Sequence, residues 1–189
     1  MVKTKVKIVL GISSLPGGGK DYIADLLTKY YGFYKVAPGD IIRAIIKKMG
    51  TKLTFDKEQK LQANLRKKYG NNYIMELCYR KMIKSGKQKI VIPGVRFPAD
   101  VLFYRRKFGS NFLNIFVFAS KKTRYLREKN RGRGDDTVSY AEFIRRDDQQ
   151  ISTYNLKKTR EISDVFMKNQ GKSTAQLKVE LKKTLNKFD

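Results

Sequence analysis

Histidine is absent from the sequence, and cysteine occurs once, as Cys78, among 189 residues. The lack of histidine excludes imidazole acid–base chemistry and histidine metal ligands. A single cysteine excludes an internal disulfide, a cysteine-based zinc or iron–sulfur site and a Cys–His catalytic pair.

Long hydrophobic runs are also lacking. The longest apolar stretches, residues 8–15 and 115–119, have the length of strands and fall far short of the roughly 20 residues of a membrane helix. The basic residues 1–5 are not followed by a signal-like apolar stretch. We therefore expect a cytoplasmic protein with no membrane partner.

Acidic residues are scarce, since 17 Asp and Glu stand against 42 Lys and Arg, which gives a formal net charge of +25. Such an excess indicates anionic partners: nucleotides, nucleic acid or acidic membrane surfaces. The alternative is a lysine-rich surface that is simply solvated, because the lysines are spread along the whole chain. With 41% hydrophobic residues, the chain is expected to fold as one globular domain.

Strand-like and helix-like segments alternate along the chain. Short β-branched and aromatic stretches predict strands at residues 6–12, 33–36, 89–92, 112–118 and 165–167. Amphipathic patterns predict helices at residues 21–31, 40–49, 55–69, 72–84, 98–108, 121–129, 140–151 and 174–187. Asp40 is expected as the N-cap of the second helix. The alternation predicts an α/β fold in three layers, a parallel five-stranded sheet with helices on both faces.

The segment Ser13-Ser14-Leu15-Pro16-Gly17-Gly18-Gly19-Lys20 follows the first predicted strand and opens the first predicted helix. That context is typical of a P-loop, in which glycines let backbone N–H groups converge on a phosphate. The helix N-terminus and Lys20 add positive charge, so we expect the loop to hold the β- and γ-phosphates of ATP. An ordinary glycine-rich turn is the alternative. The residues expected to bind the nucleotide here are Pro16, Gly17, Gly18, Gly19, Lys20, Asp21 and Tyr22.

Two positions depart from the P-loop pattern. Asp21 stands where Ser or Thr normally offers a hydroxyl to Mg²⁺, and Ser14 stands where the first glycine is expected. Serine still fits a tight turn. A carboxylate binds Mg²⁺ directly or through water, so Asp21 is our candidate metal ligand.

Two more turns follow predicted strands and carry an arginine. Gly39, Asp40 and Arg43 come after the second strand, and Gly94 and Arg96 come after the third. Ligands of parallel sheets bind at the carboxyl ends of the strands, so both turns are expected to face the P-loop. The two arginines are expected to bind an acceptor phosphate. A surface arginine, beside an N-cap aspartate in the first turn, is the alternative.

Arginines also dominate residues 124–146. Phosphoryl transfer needs positive charge around the moving group, which a hinged loop with arginines supplies while it excludes water. Gly132 and Gly134 supply the hinge. A solvated basic helix and loop is the alternative. The residues expected to act in catalysis are Lys20, Arg124, Arg127, Arg133, Arg145 and Arg146.

The order of these motifs resembles the P-loop nucleoside monophosphate kinases. Gly17-Gly18-Gly19-Lys20 is similar to their P-loop, and Gly39-Asp40-Ile41-Ile42-Arg43 to the adenylate kinase segment whose arginine binds the acceptor monophosphate. Arg133-Gly134-Asp135-Asp136 is similar to the edge of the adenylate kinase lid. Gly19-Lys20-Asp21 and Val95-Arg96-Phe97-Pro98 are similar to phage deoxynucleoside monophosphate kinases. Gly94-Val95-Arg96, residues 103–109, Arg131-Gly132-Arg133 and Asn169 resemble an archaeal group of adenylate kinase-like proteins.

The resemblance covers residues 6–187 and implies a kinase that uses ATP and Mg²⁺ to phosphorylate a nucleoside or deoxynucleoside monophosphate. It implies a core at residues 1–37, 86–126 and 139–189, an acceptor-binding helical region at 38–85 and a short lid at 127–138. It also implies that Asn169 contacts the nucleotide. We expect a monomer or a homodimer with a small nucleotide acceptor, and nucleic acid as a less favoured partner.

One departure from the resemblance keeps two other functions open. Adenylate kinases and the archaeal group carry an aspartate just before the glycine of the third motif, where it helps to hold the waters of the metal, and Pro93 stands there in this chain. One alternative is a dephospho-CoA kinase-like enzyme, which phosphorylates a ribose hydroxyl and would use Asp40 as base. The other is a nucleotide- or nucleic-acid-binding P-loop protein without catalysis.

Overall fold

The computed structural model describes residues 6–130 and 139–188 and contains a five-stranded sheet. Its strands run parallel in the order β2-β3-β1-β4-β5. They are β1 (Ile8–Ser14), β2 (Tyr34–Lys35), β3 (Lys89–Pro93), β4 (Phe112–Phe118) and β5 (Val165–Lys168). The predicted α/β fold with a parallel five-stranded sheet is confirmed.

Helices connect the strands as parallel pairing requires. Those in the described ranges are α1 (Lys20–Tyr31), α2 (Pro38–Lys48), α3 (Phe55–Tyr69), α4 (Tyr73–Ser85), α5 (Pro98–Phe108), α6 (Lys121–Lys129), α7 (Tyr140–Thr153), α8 (Leu156–Glu161) and α9 (Thr174–Leu185). None of them is long and apolar enough to cross a membrane, as far as the described residues extend.

The sheet is buried on both faces, which explains why its strands are continuous apolar runs and do not alternate with polar residues. Successive side chains of a strand point to opposite faces. Accordingly Val9 packs in one hydrophobic cluster with α2, α4 and α5, whereas its neighbour Leu10 packs in a second cluster with α1 and α9. These two clusters are the two interfaces of the three-layer fold.

One local prediction was wrong, and one short helix was not predicted. Helix α2 begins at Pro38, so the N-cap is Ala37 and Asp40 lies in the first turn. The reason is that proline is well suited to the first helical position, where its missing N–H costs nothing. Helix α8 was not predicted, because six residues are too few to show a helical period.

The proposed lid lies only in part within the described structure. Helix α6 extends to Lys129 and α7 starts at Tyr140, whereas residues 131–138 lie outside the described residues. The division into core, helical region and lid therefore stays a prediction. Helices α2, α3 and α4 do pack against one another within the region 38–85.

Candidate phosphate-binding site

The turn between β1 and α1 has the backbone of an anion-binding loop. Gly17 and Gly19 have φ values of 71° and 95°, in the left-handed region that favours glycine. Gly19 is the N-cap of α1 and has no side chain to cap it, so the first turn of the helix opens directly onto the loop. Helix N-termini of this kind attract phosphate through their N–H groups and dipole.

Arg127 and Asn169 fix the shape of this loop through its carbonyl oxygens. Arg127 donates from Nη1 to the Gly17 carbonyl oxygen at 3.1 Å and from Nη2 to the Asn169 carbonyl oxygen at 2.6 Å. The buried Asn169 side chain donates to the Gly18 carbonyl oxygen at 3.1 Å. These contacts use carbonyl groups and none of the loop N–H groups, which are the atoms that bind an anion in such a concavity.

Gly19→Ala is expected to disturb the P-loop by more than the cost of placing an alanine at a positive φ. A Cβ on Gly19 would lie 1.9 Å from Asn169 Nδ2, whereas a Cβ on Gly50, also at positive φ, has nothing within 4 Å. Both variants carry the same cost of a left-handed alanine, about 1–2 kcal/mol. We expect ATP to raise the unfolding temperature of wild type and of Gly50→Ala but not of Gly19→Ala, measured by thermal unfolding with and without ATP. Equal responses of the two variants to ATP would contradict this assignment.

Lys20 reaches from the loop towards the end of β3. Its Nζ lies 2.8 Å from Asp21 Oδ2, and its Cε would lie 3.9 Å from a Cβ placed on Gly94. The Gly94 N–H in turn donates to the Ile12 carbonyl oxygen at 2.8 Å, because β1 and β3 are neighbours. The structure thus brings the P-loop and the turn that carries Arg96 to one edge of the sheet.

The donor set suits a metal that arrives with a nucleotide. In the described ranges no three or more Asp, Glu, Cys or His side chains cluster as a metal site. Mg²⁺ in phosphoryl-transfer sites needs only one or two carboxylates, because phosphate oxygens and water fill its remaining positions. Asp21, half-buried beside Lys20, meets that need. Asp21 therefore fits a Mg²⁺ that is bound together with a nucleotide.

Arg124 lies beneath the P-loop and is paired with a carboxylate. It is 3% exposed, and its two Nη atoms lie 2.5 and 2.7 Å from the carboxylate oxygens of Asp147, which is also buried. Nη1 also donates to the Pro16 carbonyl oxygen at 3.2 Å. In this arrangement Arg124 joins α6 and α7 to the loop, and Asp147 balances its charge.

Arg145 and Arg146 lie on the exposed surface of α7. Both donate hydrogen bonds to Glu142, Arg145 at 2.8 Å and Arg146 at 2.6 Å. These hydrogen bonds, of which that from Arg145 has the larger effect, lower the pKa of Glu142 to about 2. The structure pairs these two arginines with Glu142, not with the P-loop. Arg133 lies outside the described residues.

Arg43 lies between two carboxylates. Its Nη2 is 2.5 Å from Asp40 Oδ1, and its Nη1 is 3.4 Å from Glu58 Oε1 of α3. Burial lowers the pKa of Arg43, but the hydrogen bond to Asp40 and the charge of Glu58 outweigh it and raise that pKa. The guanidinium also comes close to Gly39, where a Cβ would lie 3.2 Å from Arg43 Nη1.

Arg96 is held through both its side chain and its backbone. Nη1 donates to the Tyr154 hydroxyl at 3.0 Å, the backbone N–H donates to Asp100 Oδ2 at 3.2 Å, and the carbonyl accepts from Thr159 Oγ1 at 2.8 Å. Tyr154, Asp147 and Glu58 were not among the predicted site residues. No local pattern marks these residues, since their partners lie at least 15 positions away.

A cavity of about 390 Å³ opens beside the loop. Its volume lies within the usual range of small-molecule sites, about 300–1,000 Å³. Four of the residues predicted to bind a nucleotide line it, together with an arginine, a lysine and a leucine. The lining residues are Gly17, Gly19, Tyr22, Arg127, Asn169, Lys172 and Leu177.

Structural comparison finds P-loop kinases. Shikimate kinase from Bacteroides thetaiotaomicron superposes with a TM-score of 0.59 at 10% identity, over 95% of this chain and 97% of that one. A gluconokinase from Sinorhizobium meliloti superposes with a TM-score of 0.55 at 13% identity, over 97% and 93% of the two chains. At these identities the likeness shows the fold alone.

Sequence comparison finds archaeal relatives. No family model matches the chain. A UPF0200 protein of Pyrobaculum aerophilum is 34% identical over 94% of this chain and 96% of its own length. One from Methanothermobacter thermautotrophicus is 31% identical over 87% and 82% of the two chains. The chain has the three-layer α/β P-loop fold, and it belongs to the UPF0200 family.

Proposed function

We propose that this protein is an ATP-dependent phosphotransferase whose acceptor is a nucleoside or deoxynucleoside monophosphate. One observation carries the proposal: the P-loop that begins α1 and the Arg96 turn after β3 meet at the same sheet edge, where Lys20 spans the gap to Gly94. A donor phosphate on the loop and an acceptor anion on Arg96 would then be neighbours. The resemblance to monophosphate kinases supports the nucleotide acceptor.

On the donor side, the loop N–H groups and Lys20 would bind the β- and γ-phosphates of ATP. Arg127 and Asn169 would keep the loop in shape, and the cavity beside them would take the nucleoside part of ATP. Asp21 would hold the Mg²⁺ of the bound nucleotide. When bound, this ion neutralises charge on the phosphates and orients the γ-phosphoryl group for in-line attack.

On the acceptor side, Arg43 and Arg96 would bind the monophosphate. One of its oxygens would attack the γ-phosphorus, the bond from that phosphorus to the β-γ bridging oxygen would break, and ADP would leave with the bonding electrons. A phosphate oxygen is already deprotonated, so the step needs no general base. Transfer then depends on positioning and positive charge, which suits a chain without histidine.

A coupled assay for ADP release tests the proposal. ATP and Mg²⁺ would be offered with AMP, CMP, GMP, UMP, their deoxy forms, dTMP and dephospho-CoA. Turnover of a monophosphate would support the proposal and identify the acceptor. ATP binding without any turnover, or tight binding to RNA that weakens steeply with salt, would instead support a binding protein without catalysis.

A second candidate function is phosphorylation of a hydroxyl acceptor, as in dephospho-CoA kinases. The observation that favours it is the pair of carboxylates, Asp40 and Glu58, on either side of Arg43. A carboxylate beside the acceptor can take the proton of an attacking hydroxyl. The same two carboxylates would repel a phosphate dianion.

Asp40→Asn separates the two functions. For a monophosphate acceptor we expect kcat to fall less than about tenfold, because Asp40 only orients Arg43. For a hydroxyl acceptor the loss of a general base would lower kcat by about 10²–10⁴-fold. Steady-state kinetics of the best acceptor from the panel decides between them, and Asp148→Asn on the exposed face of α7 is the control.

A further inference from the structure

A hydrogen-bonded chain joins three separate elements at the acceptor side of the site. Arg96 follows β3, Tyr154 follows α7 and Gln59 lies in α3. Arg96 Nη1 donates to the Tyr154 hydroxyl at 3.0 Å, and that hydroxyl donates to Gln59 Oε1 at 2.5 Å. The Tyr154 hydroxyl is therefore the link between the arginine and helix α3.

These hydrogen bonds run in one direction, from Arg96 to Tyr154 to Gln59. A guanidinium only donates, so the Tyr154 hydroxyl accepts from Arg96, and its own proton goes to the Gln59 amide oxygen that faces it. A phenylalanine at position 154 would lose both bonds. A leucine at position 59 would lose one, whereas a glutamate there would still accept.

The ring of Tyr154 is anchored independently of its hydroxyl. It packs edge-on against Phe97, with ring centroids 5.0 Å apart, and the Arg96 Cζ lies 4.9 Å from its centroid. The Arg96 backbone is also fixed, by Asp100 and Thr159. Removal of the hydroxyl therefore costs the Arg96 guanidinium its directional hydrogen bond, leaves its contact with the ring, and keeps the turn that carries it in place.

Helix α3 has few polar anchors besides this one. Its described contacts across the site are Gln59 to Tyr154, Glu58 to Arg43, and Arg66, which lies 3.2 Å from Asp100 and stacks on the Phe97 ring at 4.3 Å. Its residues are half-buried or exposed, without a fully buried side chain among those described. At the N-terminal half of α3, the hydrogen bond of Gln59 and the ion pair of Glu58 are therefore the polar anchors, beside the apolar contact of Leu61 with the core.

We propose that Tyr154 is a positioning residue of the acceptor site, whose hydroxyl orients the Arg96 guanidinium and docks α3 beside it. One N–H of Arg96 is committed to Tyr154, and the guanidinium turns its other N–H groups to the acceptor anion in a fixed direction. This inference rests on the proposed function in one respect, which is that Arg96 binds the acceptor. Docking of α3 by Tyr154 does not depend on it.

Tyr154→Phe tests the inference, with Tyr140→Phe as the matched control, because Tyr140 is the first residue of the helix that Tyr154 follows and is exposed. For the monophosphate that the panel selects, we expect the acceptor KM to rise about tenfold, with kcat and the KM of ATP within about twofold of wild type. Gln59→Leu should raise the acceptor KM in the same way, and Gln59→Glu should not. If Tyr154 had only a structural role, Tyr154→Phe would lower the stability of the protein without raising the acceptor KM selectively.

Hydrogen exchange provides the second readout, on the whole protein and without substrate. In Tyr154→Phe the amides of α3 should exchange faster than in Tyr140→Phe, while those of β1 and β4 stay unchanged. Equal exchange of α3 in the two variants, or faster exchange throughout the protein, would overturn the inference, as would an unchanged acceptor KM. If wild type phosphorylates no compound of the panel, the proposed function fails. Hydrogen exchange of the α3 amides then decides by itself whether Tyr154 docks this helix.

Discussion

Lys20→Ala is expected to lower the turnover of the best acceptor by about 10²–10³-fold, the usual cost of one donor that stabilises a transition state. Lys20 is the P-loop lysine at the N-terminus of α1, and its side chain reaches towards Gly94 and the Arg96 turn. It would hold the γ-phosphate while charge builds on it, so its loss affects transfer more than any other single truncation in the site. Steady-state kinetics with ATP and the selected monophosphate measures the effect.

Binding and control measurements complete this test. ATP at 100 times its Kd stabilises a protein by about 2.7 kcal/mol, and most of this stabilisation should vanish in Lys20→Ala. Lys183→Ala, which removes an exposed lysine of α9, changes the net charge by the same amount as Lys20→Ala and should behave as wild type. If Lys20→Ala retains wild-type turnover, the P-loop does not hold the transferred phosphate.

Asp147→Ala is expected to destabilise the fold by about 3–5 kcal/mol, the usual cost of leaving one partner of a buried ion pair alone. Arg124 is 3% exposed and Asp147 1%, and two short hydrogen bonds join them. Without the carboxylate, the guanidinium stays buried and uncompensated. The unfolding midpoint of a chain of this size should fall by about 10 °C.

Two further variants show whether the buried charge causes this loss. Glu142→Ala breaks ion pairs on the exposed face of the same helix, and its unfolding midpoint should stay close to that of wild type. Arg124→Met combined with Asp147→Leu removes both charges, so it should be more stable than Asp147→Ala alone. A double variant that is less stable than Asp147→Ala would show that packing, not charge, dominates at this position.

The P-loop was predictable because its signal is local. Glycines at 17 and 19, next to a lysine and between a strand and a helix, need no distant partner to be recognised, and the structure gives both the left-handed backbone they allow. The same holds for β4, whose predicted bounds match the structure. The six-residue helix α8 escaped prediction because it is too short to carry a period.

The environments of the arginines could not be predicted from the sequence. Arg124, Arg127, Arg145 and Arg146 look alike in the sequence, yet they occupy three different environments. Arg124 is buried against Asp147, and Arg127 donates a hydrogen bond to a carbonyl oxygen of the P-loop. Arg145 and Arg146 lie on the surface and pair with Glu142. Nothing in the spacing of these residues distinguishes them.

The sequence by itself determined the alternation of strands and helices, the parallel sheet and the phosphate-binding loop, because period, β-branching and glycine placement act over a few neighbouring residues. Only the tertiary structure decided which cation faces which carboxylate, and that Tyr154 joins Arg96 to Gln59 across 95 residues of chain. The physical reason is that electrostatic and hydrogen-bonding partners are determined by distance in space. The crossover connections of the sheet set that distance.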